Sequence, residues 1–183
     1  MQKYSLNQYP IEIVLGWVTS GEIAIPEIQR PFVWDSSKVR DFMDSLYQGY
    51  PVGYVIAWRN PNVRLKDGSL SEGKKILIDG QQRVTALTAA ILGQYVIDRT
   101  YQRVKIKIAF NPILEKFEVQ NPAILQNKTW IPDISDAING KVSLIKIVKE
   151  YLKDNPNTDE DKVERAFTNL TNISKKQIGF IEL

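Results

Sequence analysis

Residues 74–92, KKILIDGQQRVTALTAAIL, decide the reading of the fold. A short apolar run, Ile76-Leu77-Ile78, breaks at Asp79-Gly80, and Gln81, Gln82 and Arg83 follow in a row. From there Val84, Leu87, Thr88 and Ile91 recur at helical spacing. The pattern predicts strand, tight turn, helix, with the polar residues gathered at the helix start. The first backbone N–H groups of a helix lack an intrahelical acceptor, and the helix dipole adds positive potential there. An Asp-Gly turn lets the backbone approach a ligand closely, and an arginine one turn in supplies a forked donor. These are the parts of an anion or phosphate site. The bland alternative is a capped helix start with solvated polar residues. Short motifs misfire often, so physics alone leaves the two readings about level. In the functional one, Gln81 and Gln82 can hydrogen-bond a base, a sugar or a water. Asp79 can accept a ribose hydroxyl, ligate Mg²⁺ or orient an attacking water.

Upstream, Gln29-Arg30-Pro31-Phe32-Val33-Trp34 is a second signal. Pro26 and Pro31 make this a stiff extended segment. By composition the bland reading leads: Phe32 and Trp34 anchor a loop, and Arg30 sits in a surface pair. The functional reading sets Gln29 and Arg30 in one cleft with Arg83, where two arginines clamp a phosphate.

Around these stretches the chain predicts alternating elements. Residues 1–7 read as a lead-in. Ile11, Val14, Leu15 and Val18 predict a helix stopped by Gly21, and Ile23 and Ile25 a short strand closed by Pro26. Asp35 or Ser36 caps a helix bearing Val39, Phe42, Met43, Leu46 and Tyr47, with Lys38 on an outer face, and Gly49 ends it. Residues 54–58 predict a strand and 60–73 a polar loop. Val104–Phe110 alternates as one half-exposed strand, and Lys116–Val119 returns antiparallel. Asn121–Thr129 reads as a connection before a short helix, and two amphipathic helices cover 143–152 and 159–170. The final apolar run, 178–183, predicts a strand whose partners are missing, as in a chain that continues. The fold class is α+β, a small mixed sheet with packed helices and a more helical C-terminal part. We divide it as a core of residues 1–120 and a helical extension of 121–183.

Composition narrows the chemistry. The 183 residues are 43% hydrophobic and 25% charged, with net charge +3, an ordinary globular balance. There is no cysteine, which excludes disulfides, thiolate catalysis and Cys-type zinc. There is no histidine, which excludes His-containing triads and an HNH nuclease centre within this chain. Lys74, Lys75, Arg99, Arg103, Lys105 and Lys107 read as a solvated positive face, without the aromatic interleaving of a single-strand platform. Asp159-Glu160-Asp161 complements a helix dipole. No apolar run reaches the roughly 20 residues of a membrane span, and the first ten residues are not a secretory signal, so a cytoplasmic protein is expected.

Three stretches together, Ile25–Trp34, Gly49–Gly53 and Ile78–Leu87, resemble the N-terminal domain of the GmrSD family of modification-dependent restriction and anti-phage proteins. The resemblance spans about Ile11 to Ile91. It implies a ParB/sulfiredoxin-like core whose strand–turn–helix faces a nucleotide. It implies nucleoside-triphosphate binding and hydrolysis linked to the Asp-Gly-Gln-Gln-Arg motif, with Mg²⁺ as a possible companion. It also implies a downstream or partner HNH-type nuclease domain, modified DNA as a partner, and room for oligomerisation. On that basis Asp79, Gln82 and Arg83 are the expected catalytic residues, Asp79 being the expected metal ligand. Gln29, Arg30, Gly80, Gln81, Gln82, Arg83 and Thr85 are expected to face the phosphates, supported by Pro31, Trp34 and Gly53. Sulfiredoxin chemistry needs a cysteine at this turn and is excluded here. Two positions depart from the family pattern: Tyr54, where a small residue is commoner, and Ala86, where a second threonine is common. The rival readings are a DNA-binding module without nucleotide chemistry and a bare interaction domain whose C-terminal run meets a missing partner.

Overall fold

A computed structural model describes residues 3–24, 31–59, 62, 64, 65, 68–70 and 72–183. In chain order its elements begin with β1 (Ser5–Pro10), α1 (Ile11–Thr19), β2 (Ile23–Ala24), α2 (Ser36–Gln48) and β3 (Tyr54–Arg59). They continue with β4 (Lys75–Asp79), α3 (Gln81–Leu92), β5 (Val96–Ile97), β6 (Arg103–Val104), β7 (Ile108–Asn111) and β8 (Lys116–Val119). The remainder holds α4 (Pro122–Gln126), α5 (Ser135–Ile138), α6 (Leu144–Asp154), α7 (Glu160–Thr171), a 3₁₀ turn at Asn172–Lys175, and β9 (Gln177–Glu182). The class is α+β, as the sequence predicts.

The main sheet runs β1-β9-β3-β4-β2. Its pairings are mixed: β1–β9 and β3–β4 are antiparallel, β9–β3 and β4–β2 parallel. Two expectations fail here. Residues 5–7 are no lead-in but the start of an outer strand, with Ser5 opposite Glu182. The C-terminal run does not lack partners either, since β9 lies between β1 and β3 with Ile178 and Phe180 buried. An apolar strand flanked on both sides reads locally like a strand awaiting a partner, because its ladder lies at the other end of the chain. The same seam is closed by side chains. Tyr9, Trp17 and Phe180 form an edge-on triad with centroids 4.8–5.8 Å apart, each pair contributing about 1 kcal/mol beyond its burial.

The expected strand over 104–110 is also two pieces. Val104 pairs with Val96, whereas Ile108 pairs with Val119. The alternation is real, since Ile106 and Ile108 are both buried. Burial periodicity reports which face is inside; it does not say that one ladder partner serves the whole run. The connection at 121–129 contains a helix that was not anticipated, α4, started by the Asn121 side chain accepting from Ile124 N–H at 3.0 Å with Pro122 next.

Helix α2 matters most for the site, because its first turn carries one wall of it. Asp35 caps α2 by accepting from Lys38 N–H at 2.8 Å, and Gly49 ends it in the left-handed region at φ 80°. Its far end packs on the β7–β8 hairpin, where Tyr47 meets Phe110 and Phe117 at 5.3 and 5.5 Å. The Tyr47 hydroxyl donates to Glu115, and Arg40 pairs with Glu118 at 3.1 Å. Burial, and then the neighbouring Glu115 carboxylate, push the Tyr47 hydroxyl well above its ordinary pKa. One apolar core includes Ile11, Met43, Leu77, Leu87, Phe110, Phe167 and Phe180, so helices from both halves of the chain close around the same sheet.

Candidate functional site

The predicted strand–turn–helix is present as β4, Gly80 and α3. Gly80 sits at φ 87°, ψ 7°, directly before the helix. A Cβ there would lie 3.1 Å from both the Tyr54 carbonyl oxygen and Val55 Cα. Only glycine lets the turn close this tightly on β3. The first turn of α3 is thereby set against the start of β3, and Gln81 to Arg83 line a cleft of about 470 Å³. Its other wall is Val33, Trp34, Asp35 and Lys38.

Arg83 ties three chain segments. Its Nη2 donates to the Tyr54 carbonyl at 2.6 Å and to Asp79 Oδ2 at 3.2 Å. Its guanidinium lies over Gly53, where a Cβ would come within 3.4 Å of Nη1. The arginine side chain is 24% exposed, and its Nε is buried without a hydrogen-bond partner. An unpaired buried donor of a cation is costly, and nothing among the described residues offsets it at Nε. Asp79 is 67% exposed on its side chain and open to the cleft.

Gln82 is placed differently from a residue that meets a nucleophile. Its Oε1 accepts from Val33 N–H at 2.8 Å, and its Nε2 donates to the Pro31 carbonyl at 3.1 Å. Both ends of the amide are engaged by backbone, so Gln82 pins the Pro31–Val33 segment to α3. The aromatic residues then hold that segment to the core. Phe32 is buried, Trp34 stands 6.5 Å from it, and Trp34 meets Phe42 of α2 edge-on at 5.4 Å. The Pro31 carbonyl accepts from Gln82, Trp34 packs on Phe42, and Gly53 lies beneath the Arg83 guanidinium. Gln81 is buried at the first helical position. Thr85 is half-buried and is not among the residues lining the cleft. Gln29 and Arg30 lie outside the described residues, so the second arginine of the expected clamp has no structural account here.

Several cleft residues escaped the sequence reading, Lys38 and Asp35 among them. Lys38, expected on an outer face, lines the cleft, and its ammonium stands 4.9 Å from the Trp34 ring centre. The available signal was its place in the first turn of a helix capped by Asp35, directly after the Phe32–Trp34 anchor. Among the described residues no group of three or more His, Cys, Asp or Glu side chains converges as a metal cage. Asp79 and Asp35 do share the cleft. Asp35 is engaged as the α2 cap, whereas the Asp79 side chain is 67% exposed.

No helix among the described residues is long and apolar enough to cross a membrane. No curated protein matches the chain. The family model described as the N-terminal domain of the GmrSD restriction endonuclease matches residues 13–183, well past the Ile91 limit of the motif resemblance. The match takes in β9, whose place in the middle of the sheet makes the C-terminal residues part of the same fold. The chain belongs to the family of GmrSD restriction endonuclease N-terminal domains.

Proposed function

We propose that the α3 cleft binds a nucleoside triphosphate and hydrolyses it, and that nucleotide state regulates the DNA-cleaving part of a restriction system. The observation that carries this reading is the approach of Arg83, Lys38 and the first turn of α3 to one cleft large enough for a nucleotide's phosphates and sugar. The fold around Gly80 is, on this proposal, the nucleotide-facing passage of a ParB/sulfiredoxin-like core.

Charge balance sharpens the proposal. Among the described residues the charges lining the cleft are Lys38, Arg83, Asp35 and Asp79, which cancel. A triphosphate therefore needs an added cation, and Asp79 is the carboxylate open to hold Mg²⁺. Bound there, the ion would supply neutralisation of phosphate charge. Arg83 contributes a fixed fork, and Lys38 a mobile point charge, to the phosphate oxygens. The α3 N–H groups add donors that cost no reorganisation. Gln82 acts through the wall it holds and is a positioning residue. Arg30, from its place in the motif, would supply a further cation. A downstream or partner HNH-type domain would be the element regulated, with modified DNA its substrate, and oligomerisation would be one way of transmitting the state.

Isothermal titration of the 183-residue protein with ATP, GTP, CTP and UTP, each with Mg²⁺, tests the reading. One of them is expected to bind, and Arg83→Ala to weaken it by about tenfold or more. No binding by wild type sinks the nucleotide reading, and binding unchanged in Arg83→Ala sinks the assignment of the site. Phosphate release in the same solutions separates binding from turnover.

A further inference from the structure

Beside the cleft, on the other side of Val33–Asp35, lies a second recess of about 350 Å³ reaching Asp98, Arg99 and Lys105. It opens beside the β5–β6 hairpin. The hairpin is fixed to the cleft wall: Phe32 N–H donates to the Ile97 carbonyl at 3.2 Å, and Phe32 bridges Asp98. The register pairs Val96 with Val104 and Ile97 with Arg103. Val96 is buried, whereas Tyr95 and Ile97 are 58% and 45% exposed. The face turned to solvent therefore carries Tyr95, Ile97, Arg103 and Lys105.

The exposed Arg103 guanidinium lies 5.0 Å from the Tyr95 ring centre, within cation–π range. Tyr101, in the hairpin turn, is 79% exposed, the highest value of any large apolar side chain described. The turn is built to hold it there. Asp98 accepts from Thr100 N–H, Thr100 Oγ1 and Gln102 N–H at 2.6–3.0 Å, and Tyr101 takes φ 60°. Residues 94–107 hold four cations (Arg99, Arg103, Lys105, Lys107) and one anion (Asp98), a balance of +3 equal to that of the whole chain. Contrary to the sequence reading of these cations as a plain solvated face, Tyr95 and Tyr101 are interleaved with them.

Exposed rings among arginines fit unstacked bases and the phosphates linking them. We propose that the outer face of the β5–β6 hairpin is a contact site for single-stranded nucleic acid. Tyr95 and Tyr101 stack on bases, and Arg99 and Arg103 meet the adjoining phosphates. None of Tyr95, Arg99, Tyr101 and Arg103 lines the nucleotide cleft, so this contact uses residues of its own. A duplex fits the face less well, because its bases are already stacked on one another.

Fluorescence anisotropy with a labelled oligothymidylate tests the proposal, with an oligouridylate and a blunt duplex as further arms and a salt series for each. The oligothymidylate is expected to bind more tightly than the duplex; equal affinity for oligouridylate assigns the site to either sugar. Tyr95→Ala and Tyr101→Ala are each expected to weaken binding by about tenfold. The Tyr95→Phe/Tyr101→Phe double variant, which keeps both rings, is expected to bind as wild type does. Arg103→Ala is expected to lower the salt slope by about 0.7. Arg83→Ala should leave this binding unchanged. The proposal is overturned if folded wild type binds no oligonucleotide, if the tyrosine-to-alanine variants bind normally, or if Arg83→Ala abolishes binding while they do not.

Discussion

Replacing Gln82 by methionine separates a residue that holds a wall from one that handles a nucleophile. Methionine keeps the length and most of the volume of the side chain and removes both polar ends. Two hydrogen bonds are lost, to Val33 N–H and to the Pro31 carbonyl. A net hydrogen bond contributes about 0.5–1.5 kcal/mol. Val33 is 46% exposed, so water can replace the lost acceptor at that end, which puts the total near the low side, about 1–2 kcal/mol. For a chain of this size that is a fall in Tm of roughly 2–8 °C. Amide exchange at Val33 should accelerate by about five- to thirtyfold, the factor that such an energy represents. Thermal melts and hydrogen exchange read by NMR measure the two effects. If Val33 exchange and Tm are both unchanged in Gln82→Met while nucleotide turnover disappears, the wall-holding role is wrong and Gln82 acts on the reaction itself.

Gly80→Ala should destabilise by about 2–4 kcal/mol in urea unfolding, from left-handed strain plus the 3.1 Å approach to the β3 backbone; a loss under about 0.5 kcal/mol would refute the close packing. Asp35→Ala should cost about 1 kcal/mol through loss of the α2 cap and should loosen the Lys38 wall, seen as faster exchange of the Lys38 amide. Burial pushes the Tyr151 hydroxyl up to about 12, and Tyr47 is raised too. Stability from these raised groups is complete below the ordinary tyrosine pKa near 10 and is lost as pH climbs through the raised values, so alkaline unfolding should start above about pH 10. Absorbance titration at alkaline pH should then show Tyr47 and Tyr151 ionising together with unfolding.

Local rules made the centre of the site legible. The change from a strand run to helical period at Asp79-Gly80 located β4 and α3, because the left-handed turn leaves a glycine signature in the chain. Caps were equally plain at Asp35, Gly49 and Asp159, each of which occupies the end it was expected to occupy or adjoin. What stayed hidden depends on contact across the chain. Gln82 meets partners 49 and 51 residues away, and no local pattern distinguishes a glutamine aimed at a ligand from one aimed at a distant backbone. The β1–β9 ladder joins the two ends, and neither strand names its partner. Lys38 satisfies the polar phase of an amphipathic helix; only the placement of Trp34 beside it turns an outer face into a cleft wall.

The two glycines the motif supplies, Gly53 and Gly80, bear on one side chain. Gly53 leaves the space over which the Arg83 guanidinium lies, and Gly80 brings the Tyr54 carbonyl within that guanidinium's reach by letting α3 close on β3. Arg83 is consequently held at β3, at Asp79 and at Gly53 before any ligand arrives, with its Nε still unpaired. A phosphate entering the cleft does not order a loose side chain. It competes with Asp79, an exposed partner whose pairing at 3.2 Å is weakly binding in water, while the Tyr54 carbonyl keeps the fork aimed. Displacing Asp79 from Arg83 frees its carboxylate at the moment that negative charge arrives beside it. On the proposed function, the freed carboxylate would then have reason to take up a cation, which would tie phosphate binding and metal binding into one exchange. On this proposal the ion pair between Asp79 and Arg83 is the resting form of the site, and opening it is the first event of binding.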